Sequence, residues 1–318
     1  MSLFTPKPLK APFWLNNAHA DTVISLFLPT PTVAYQRELR KDSTQTTFVA
    51  YDFLFSTQKD APLFVLFHGL EGSSQSHYAL RLALTAQKNG YHTVIPHFRG
   101  CGGVKNTAYK AYHCGDSEEI AYVIHSLAKE YSYIIAAGVS LGGSALVNYL
   151  GRVKEDNIIR AAVIISAPLN LPYAGEAMSN GINRYLYTPY FMNSMLKNAH
   201  QIAQHYPELK LPTHYKPKSF ADFDDVYTAP LAGYANAKQY YQEASAFPYL
   251  SQITCPTLLI NALNDPFMPA QFLPTKASIS SYVRLCQPKR GGHVGFVQKG
   301  LDTHWLEETV FDYYASVL

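Results

Sequence analysis

The sequence predicts an α/β protein whose mostly parallel sheet is covered by helices on both faces. Three observations carry this. Short continuous apolar runs such as Leu63–Phe67 recur along the chain, and an unbroken apolar run suits a strand buried on both sides. Segments of helical period separate these runs, and that alternation folds as βαβ units. Stop signals stand between them, as at Gly90 just past a helical segment.

Residues 1–30 are rich in Pro, lack periodicity, and are expected to wrap the surface. Residues 33–39 and 47–54 alternate apolar and polar positions, as half-buried antiparallel strands do. Residues 63–67 read as the first buried strand, 78–89 as a helix and 92–98 as the next strand. Residues 117–129 read as a helix with Ser117 as N-cap and Glu118 and Glu119 in its first turn. A strand at 133–138, a helix at 144–153 and a strand at 161–166 follow. The alternation stops at Pro168. It resumes with a strand at 256–262, a short helix near 269–277, a strand at 282–287 and a final helix from about 303 to 317.

The interruption at 169–252 is too long for a loop. It is rich in tyrosine and leaves one strand to return before the next, at the edge where open α/β sheets place ligands. The expected organisation is therefore a surface segment at 1–30, a core from 31–168 and 253–318, and an inserted cap at 169–252.

Composition narrows the function. The 318 residues suffice for one large α/β domain with an insertion. Charged residues make up 15%, below the ~25% of ordinary soluble domains, while tyrosine occurs 24 times. The net charge of +3 comes without a Lys/Arg stripe, so nucleic-acid binding has no electrostatic footprint. Cys101, Cys114, Cys255 and Cys286 match no zinc or Cys-x-x-Cys spacing and are too sparse for a disulfide scaffold. Reduced thiols in a cytoplasmic protein are expected. Residues 1–15 carry lysines but no apolar run, so no signal peptide is expected. No stretch nears the ~20 apolar residues of a membrane helix.

The strongest local signal is Gly138-Val139-Ser140-Leu141-Gly142, placed between a strand and a helix. That context is the one in which a Gly-x-Ser-x-Gly turn lifts a nucleophilic serine above a sheet. Larger side chains two positions either side would collide with neighbouring backbone, and both positions are Gly. The helix that follows points its N-terminus at the serine, which favours developing negative charge. His68-Gly69-Leu70-Glu71-Gly72 follows the first buried strand, where the α/β-hydrolase fold supplies one oxyanion-hole amide. The amides of Leu70 and Leu141 are the candidates, and His68 reads as a structural hydrogen-bonder.

Serine needs a base, and the base needs an acid to orient it. This fold orders them Ser, acid, His. Asp265 lies just past the strand at 256–262, before a Pro-rich turn. Asp222, Asp224 and Asp225 fall in the presumed cap and are weaker candidates. Beyond Asp265 the base is His293 or His304. Gly291 and Gly292 allow the sharp bend that brings His293 to Ser140, whereas His304 opens the final helix.

Together, 68–73 (HGLEGS), 98–101 (FRGC), 138–143 (GVSLGG), 261–267 (NALNDPF) and 291–296 (GGHVGF) resemble the YheT-like branch of the α/β-hydrolases, a group of predicted esterases. The likeness extends to 17–19, 21–22, 223–228 and Tyr240-Tyr241, so it covers nearly the whole chain. It implies Ser140, Asp265 and His293 as the triad, acyl-enzyme ester hydrolysis, and no metal or organic cofactor. Asn264 departs from the Asp expected there, which removes an alternative acid; Gly102-Gly103 after FRGC is a second departure.

The aromatic, weakly charged insertion suggests an uncharged acyl group of small to medium size. The expected substrate is a small-molecule or lipid ester, phospholipids included. Acyl transfer to another acceptor would use the same triad, though the sequence lacks the His-x4-Asp acyltransferase pattern. A binding module that kept the fold without activity is the third reading, since fold alone does not prove catalysis.

Overall fold

The computed structural model describes residues 4–302 and 304–318. Its strands are β1 (Gln36–Lys41), β2 (Phe48–Leu54), β3 (Leu63–Phe67), β4 (His92–Pro96), β5 (Ile134–Val139), β6 (Ile159–Ile165), β7 (Thr257–Ile260) and β8 (Val283–Cys286). Among the described residues they form one sheet in the order β1-β2-β4-β3-β5-β6-β7-β8. β2 pairs antiparallel with β1 and β4. All the other pairs are parallel. The predicted α/β architecture is the one observed.

The helices are α1 (Ala18–Val23), α2 (His77–Lys88), α3 (Ser117–Leu127), α4 (Leu141–Val153), α5 (Leu171–Ser179), α6 (Gly181–His205), α7 (Phe220–Phe223), α8 (Ala229–Ala232), α9 (Ala237–Ala244) and α10 (His304–Val317). Every residue of β3, β4 and β5 is buried, because both faces of the sheet are covered. The period-two geometry of β3 divides its side chains between two cores. Leu63, Val65 and Phe67 pack with Ile124 of α3 and Leu146 of α4. Phe64 and Leu66 pack with Leu82 of α2 and Phe311 of α10. Each such side chain contributes ~1.5–3 kcal/mol of burial.

Several boundaries differ from expectation, each for a local reason. β1 starts at Gln36 rather than 33 and is mostly exposed, because it is the edge strand and its charges guard that edge. Ser117 is the first residue of α3, not its cap; Asp116 holds the N-cap position, with its carboxylate taken by Arg99. α4 begins at Leu141, directly off the serine turn, rather than at 144. The helix expected near 269–277 is two 3₁₀ turns, Ala270–Phe272 and Lys276–Ser278, with Pro274 between them. The final helix is described from His304, and the expected start at 303 lies outside the described residues.

Residues 1–30 are less irregular than their composition suggests. The side chain of Asn17 accepts from the N–H groups of His19 and Ala20 and so caps α1, and Asp21 and Thr22 are buried. The FRGC stretch also has a packing role. Arg99 is fully buried and pairs with Asp42, Asp116 and Glu119, tying the β1–β2 turn to α3. Between β6 and β7 the chain runs through α5 to α9. Among the described residues no helix is long and apolar enough to cross a membrane.

Candidate active site

Ser140 joins β5 to α4 at φ 51° and ψ −120°, a conformation that costs a non-glycine residue ~1–3 kcal/mol. The surroundings enforce it. A Cβ on Gly138 would lie 2.6 Å from the Gly142 carbonyl oxygen, and one on Gly142 would lie 2.5 Å from the carbonyl oxygens of Phe67 and His68. The elbow and the loop after β3 thus touch backbone to backbone, which places the Ser140 hydroxyl beside that loop.

The base and acid approach from two loops at the same end of the sheet. Asp265 follows β7, and His293 lies in the loop between β8 and α10. His293 Nε2 is 3.0 Å from Ser140 Oγ, and Nδ1 is 2.9 Å from Asp265 Oδ2. A carboxylate only accepts, so Nδ1 carries the proton and Nε2 is left to accept the serine O–H. The other oxygen of Asp265 accepts from the Phe267 N–H at 2.8 Å, and the Phe267 ring lies 4.2 Å from the imidazole centroid.

The alternatives go elsewhere. Asp222 accepts from Tyr215, Asp225 from the Ala237 N–H, and Asp224 from Thr228 and Tyr241. The exposed His304 ring pairs with Asp302.

Leu70 and Leu141 border the cleft together with Ser140 and His293. Leu141 opens α4, so its N–H has no acceptor within the helix. The amides flanking Leu70 are engaged: Gly69 N–H donates to Tyr78 Oη and Glu71 N–H to Tyr112 Oη, both at 2.9 Å. His68 is buried behind this loop. Its Nδ1–H donates to the Gly69 carbonyl at 2.7 Å, and Nε2 accepts from the Phe98 N–H at 3.1 Å. Burial, and then the neighbouring His97, push its pKa down to about 3, so it stays neutral. The Glu71 carboxylate accepts from Tyr112 at 2.7 Å and also from Ser194, which links this loop to α6.

Residues 17–19 and 21–22 stand in the sequence only as part of the family likeness, with no role attached; in the structure α1 holds the base loop from behind. His293 N–H donates to Thr22 Oγ1 at 2.9 Å, and Thr22 in turn donates to the Ala18 carbonyl. Gly292 N–H donates to Asn264 Oδ1 at 3.0 Å, and Asn264 Nδ2 donates to Asp21 at 2.7 Å. Arg290 grips the same carboxylate through Nη2 at 2.6 Å and Nε at 3.1 Å. A Cβ on Gly295 would lie 1.9 Å from the Asp21 carbonyl oxygen. Asn264 therefore does more than remove an alternative acid. It is an amide matched to a carboxylate on one side and an N–H on the other. The signal available in sequence was Asn17 before an acidic first turn, a modest N-terminal helix mark.

The cleft over Ser140 is predominantly apolar. α5 supplies Leu171, Ala174 and Met178, and α6 supplies Phe191 and Met195. Asp224 is the one carboxylate among the described residues that line the cleft, beside Thr228 and Tyr241. Burial raises its pKa to about 6, so it is largely protonated in mildly acidic solution.

Comparison with known proteins agrees with this architecture. Residues 62–300 match the alpha/beta hydrolase fold family. The Escherichia coli protein YheT, a candidate esterase by name, is 38% identical over 264 residues, 81% of this chain and 77% of that one. The human phospholipase ABHD3 is 30% identical over 299 residues, 90% of this chain and 72% of that one. Among solved structures, Est1E of Butyrivibrio proteoclasticus with ferulic acid bound superposes with a TM-score of 0.54 at 16% identity, over 90% of this chain and 99% of that one. The Pyrococcus furiosus esterase Pf2001 gives 0.58 at 14% identity, with 99% of each chain covered. At such identities the structural matches speak for the fold alone, whereas the sequence matches span most of both proteins. The chain belongs to the alpha/beta hydrolase fold family, in the branch that contains YheT.

Proposed function

We propose that this chain, an ester hydrolase by family, cleaves carboxylic esters through an acyl-enzyme on Ser140. The observation that carries the reading is the continuous hydrogen-bonded line Ser140–His293–Asp265, with spacings of 3.0 and 2.9 Å. His293 Nε2 takes the Ser140 proton as Oγ attacks the ester carbonyl. Asp265 stays ionised, holds the tautomer and stabilises the imidazolium. The N–H groups of Leu70 and Leu141 donate to the developing oxyanion, each worth about 3 kcal/mol in the transition state. His293 then passes its proton to the departing alcohol, draws another from a water as that water attacks the acyl carbonyl, and returns it to Ser140 Oγ as the acyl–Oγ bond breaks and the carboxylic acid leaves.

Residues 169–252 act as the cap, because α5 and α6 form the wall opposite Ser140. That apolar wall favours an uncharged acyl chain, and a relative named as a phospholipase supports a lipid ester. Acyl transfer is the second reading. It is favoured by a Saccharomyces cerevisiae relative, 28% identical, whose name joins a fatty acid ethyl ester synthase with an esterase. The four free, buried cysteines suit the reducing cytoplasm as the site of action.

The test is kinetic. Ser140→Ala should lower kcat on short p-nitrophenyl esters by about 10⁴-fold or more while the protein stays folded. A loss of only a few-fold would refute the assignment. Adding ethanol to the wild type and measuring ester formed against acid released separates transfer from hydrolysis.

A further inference from the structure

The outer face of α6 is apolar and turned to solvent. Ile182, Tyr185, Leu186 and Tyr190 fall at i, i+3, i+4 and i+8, the spacing of one helical face. All four are exposed, Tyr185 at 79% and Tyr190 at 74%. Leu26 and Phe27 extend the apolar surface from the chain just past α1, and Phe27 is 80% exposed. The two segments adjoin: the His19 ring stacks on Tyr187 of α6 at 5.8 Å, and Val23 packs into the cluster of Tyr187 and Phe267. Single exposed apolar side chains are ordinary. Six large ones on two adjoining segments make a patch that calls for a partner.

Charge indicates which partner. The 25 residues of α6 include Arg184 and Lys197 and no Asp or Glu. Arg184 is rooted off the stripe, at i+2 from Ile182, but its guanidinium reaches to 5.9 Å from the Tyr185 ring at the stripe's edge. Residues 22–35 carry no charge at all. The neighbouring α5 offers one exposed carboxylate, Glu176. An apolar, aromatic face whose helix bears only cations has the chemistry of an anionic lipid interface. Its position fits as well, since the opposite side of α6 gives Phe191 and Met195 to the cleft above Ser140.

We propose that the outer face of α6, with Leu26 and Phe27, docks on an anionic phospholipid surface. The cleft then lies beneath a helix whose other side rests on the membrane. That second step, delivery of a lipid ester to the site, rests on the function proposed above; the docking itself does not.

The test is co-sedimentation of the full chain with vesicles of phosphatidylcholine alone and of phosphatidylcholine with added phosphatidylglycerol. Wild type should pellet with the anionic vesicles and much less with the neutral ones. The triple variant Tyr185→Ser, Leu186→Ser, Tyr190→Ser should weaken binding at least about tenfold, and Arg184→Ser about fivefold on anionic vesicles only. Both variants should turn over p-nitrophenyl acetate like the wild type. That assay reports on the triad and so distinguishes failure of docking from failure of the esterase reading. Three results would each overturn the proposal. One is no co-sedimentation, and another is equal binding by the triple variant. The third is a wild-type dimer in ultracentrifugation that the triple variant abolishes, which would mean that a second copy covers the face.

Discussion

Replacing Asp21 by Asn tests whether α1 holds the base in place. Asp21 is buried, and its carboxylate accepts three hydrogen bonds, two from Arg290 and one from Asn264. An amide keeps one acceptor oxygen and sets an NH2 against a donor, so at least one bond becomes a donor–donor contact and the ion pair is lost. Charge-assisted bonds of this kind are worth ~1.5–3 kcal/mol each. The Arg290 side chain is 20% exposed and regains water, which reduces the total to ~2–3 kcal/mol of stability. The catalytic effect comes through Asn264, whose carbonyl oxygen holds Gly292 beside the base. A displacement near 1 Å in a reacting group costs on the order of 100-fold. Asp21→Asn should therefore lower kcat on p-nitrophenyl acetate by ~10–100-fold, with KM nearly unchanged because no cleft contact is touched. Thermal unfolding and steady-state kinetics on the same preparation check both numbers. A variant that loses the expected stability but keeps wild-type kcat would refute the claim that Asp21 positions His293.

Gly142→Ala should cost stability and activity together, because its Cβ would sit 2.5 Å from two backbone carbonyl oxygens of the loop carrying Leu70. A drop of ~1–3 kcal/mol in urea titration with at least ~100-fold loss in kcat is expected, and normal kcat would contradict the oxyanion assignment. Glu307 gives a pH signature. Burial raises its carboxyl to about 7 from an ordinary 4.5. Between those values the folded state binds the extra proton, so stability is greatest below about 4.5 and falls as pH rises through about 7. Glu307→Gln should leave stability at pH 4 nearly unchanged and raise it at pH 8 by up to ~3 kcal/mol. Melting curves at both values would show the gap opening with pH, and an equal gap at each would refute the burial argument.

Much of this architecture is legible because it is written locally. The run Leu63–Phe67 announces a doubly buried strand, and the two glycines around Ser140 announce the turn, since each property depends on near neighbours. The order Ser140, Asp265, His293 is also visible, and the structure brings the three side chains together. What stayed hidden is tertiary. Asp21 meets Asn264 and Arg290 across 243 and 269 residues, and the sequence marks it only as an acid in the first turn after Asn17, within the family likeness, without pointing to either partner. Asn264 reads in sequence only as the loss of an acid, because its two hydrogen-bond partners, Asp21 and Gly292, are far from it along the chain. The start of β1 at Gln36 is not marked in the sequence, because the exposed, charged edge strand Gln36–Lys41 carries no apolar alternation of its own.

Whether His293 makes Ser140 the nucleophile is measured most directly by the mass of the protein after reaction with a fluorophosphonate. A single adduct should map to the peptide containing Ser140, should be absent from Ser140→Ala, and should form ~10³-fold more slowly or worse in His293→Ala. An adduct on another residue, or wild-type labelling in His293→Ala, would contradict that assignment.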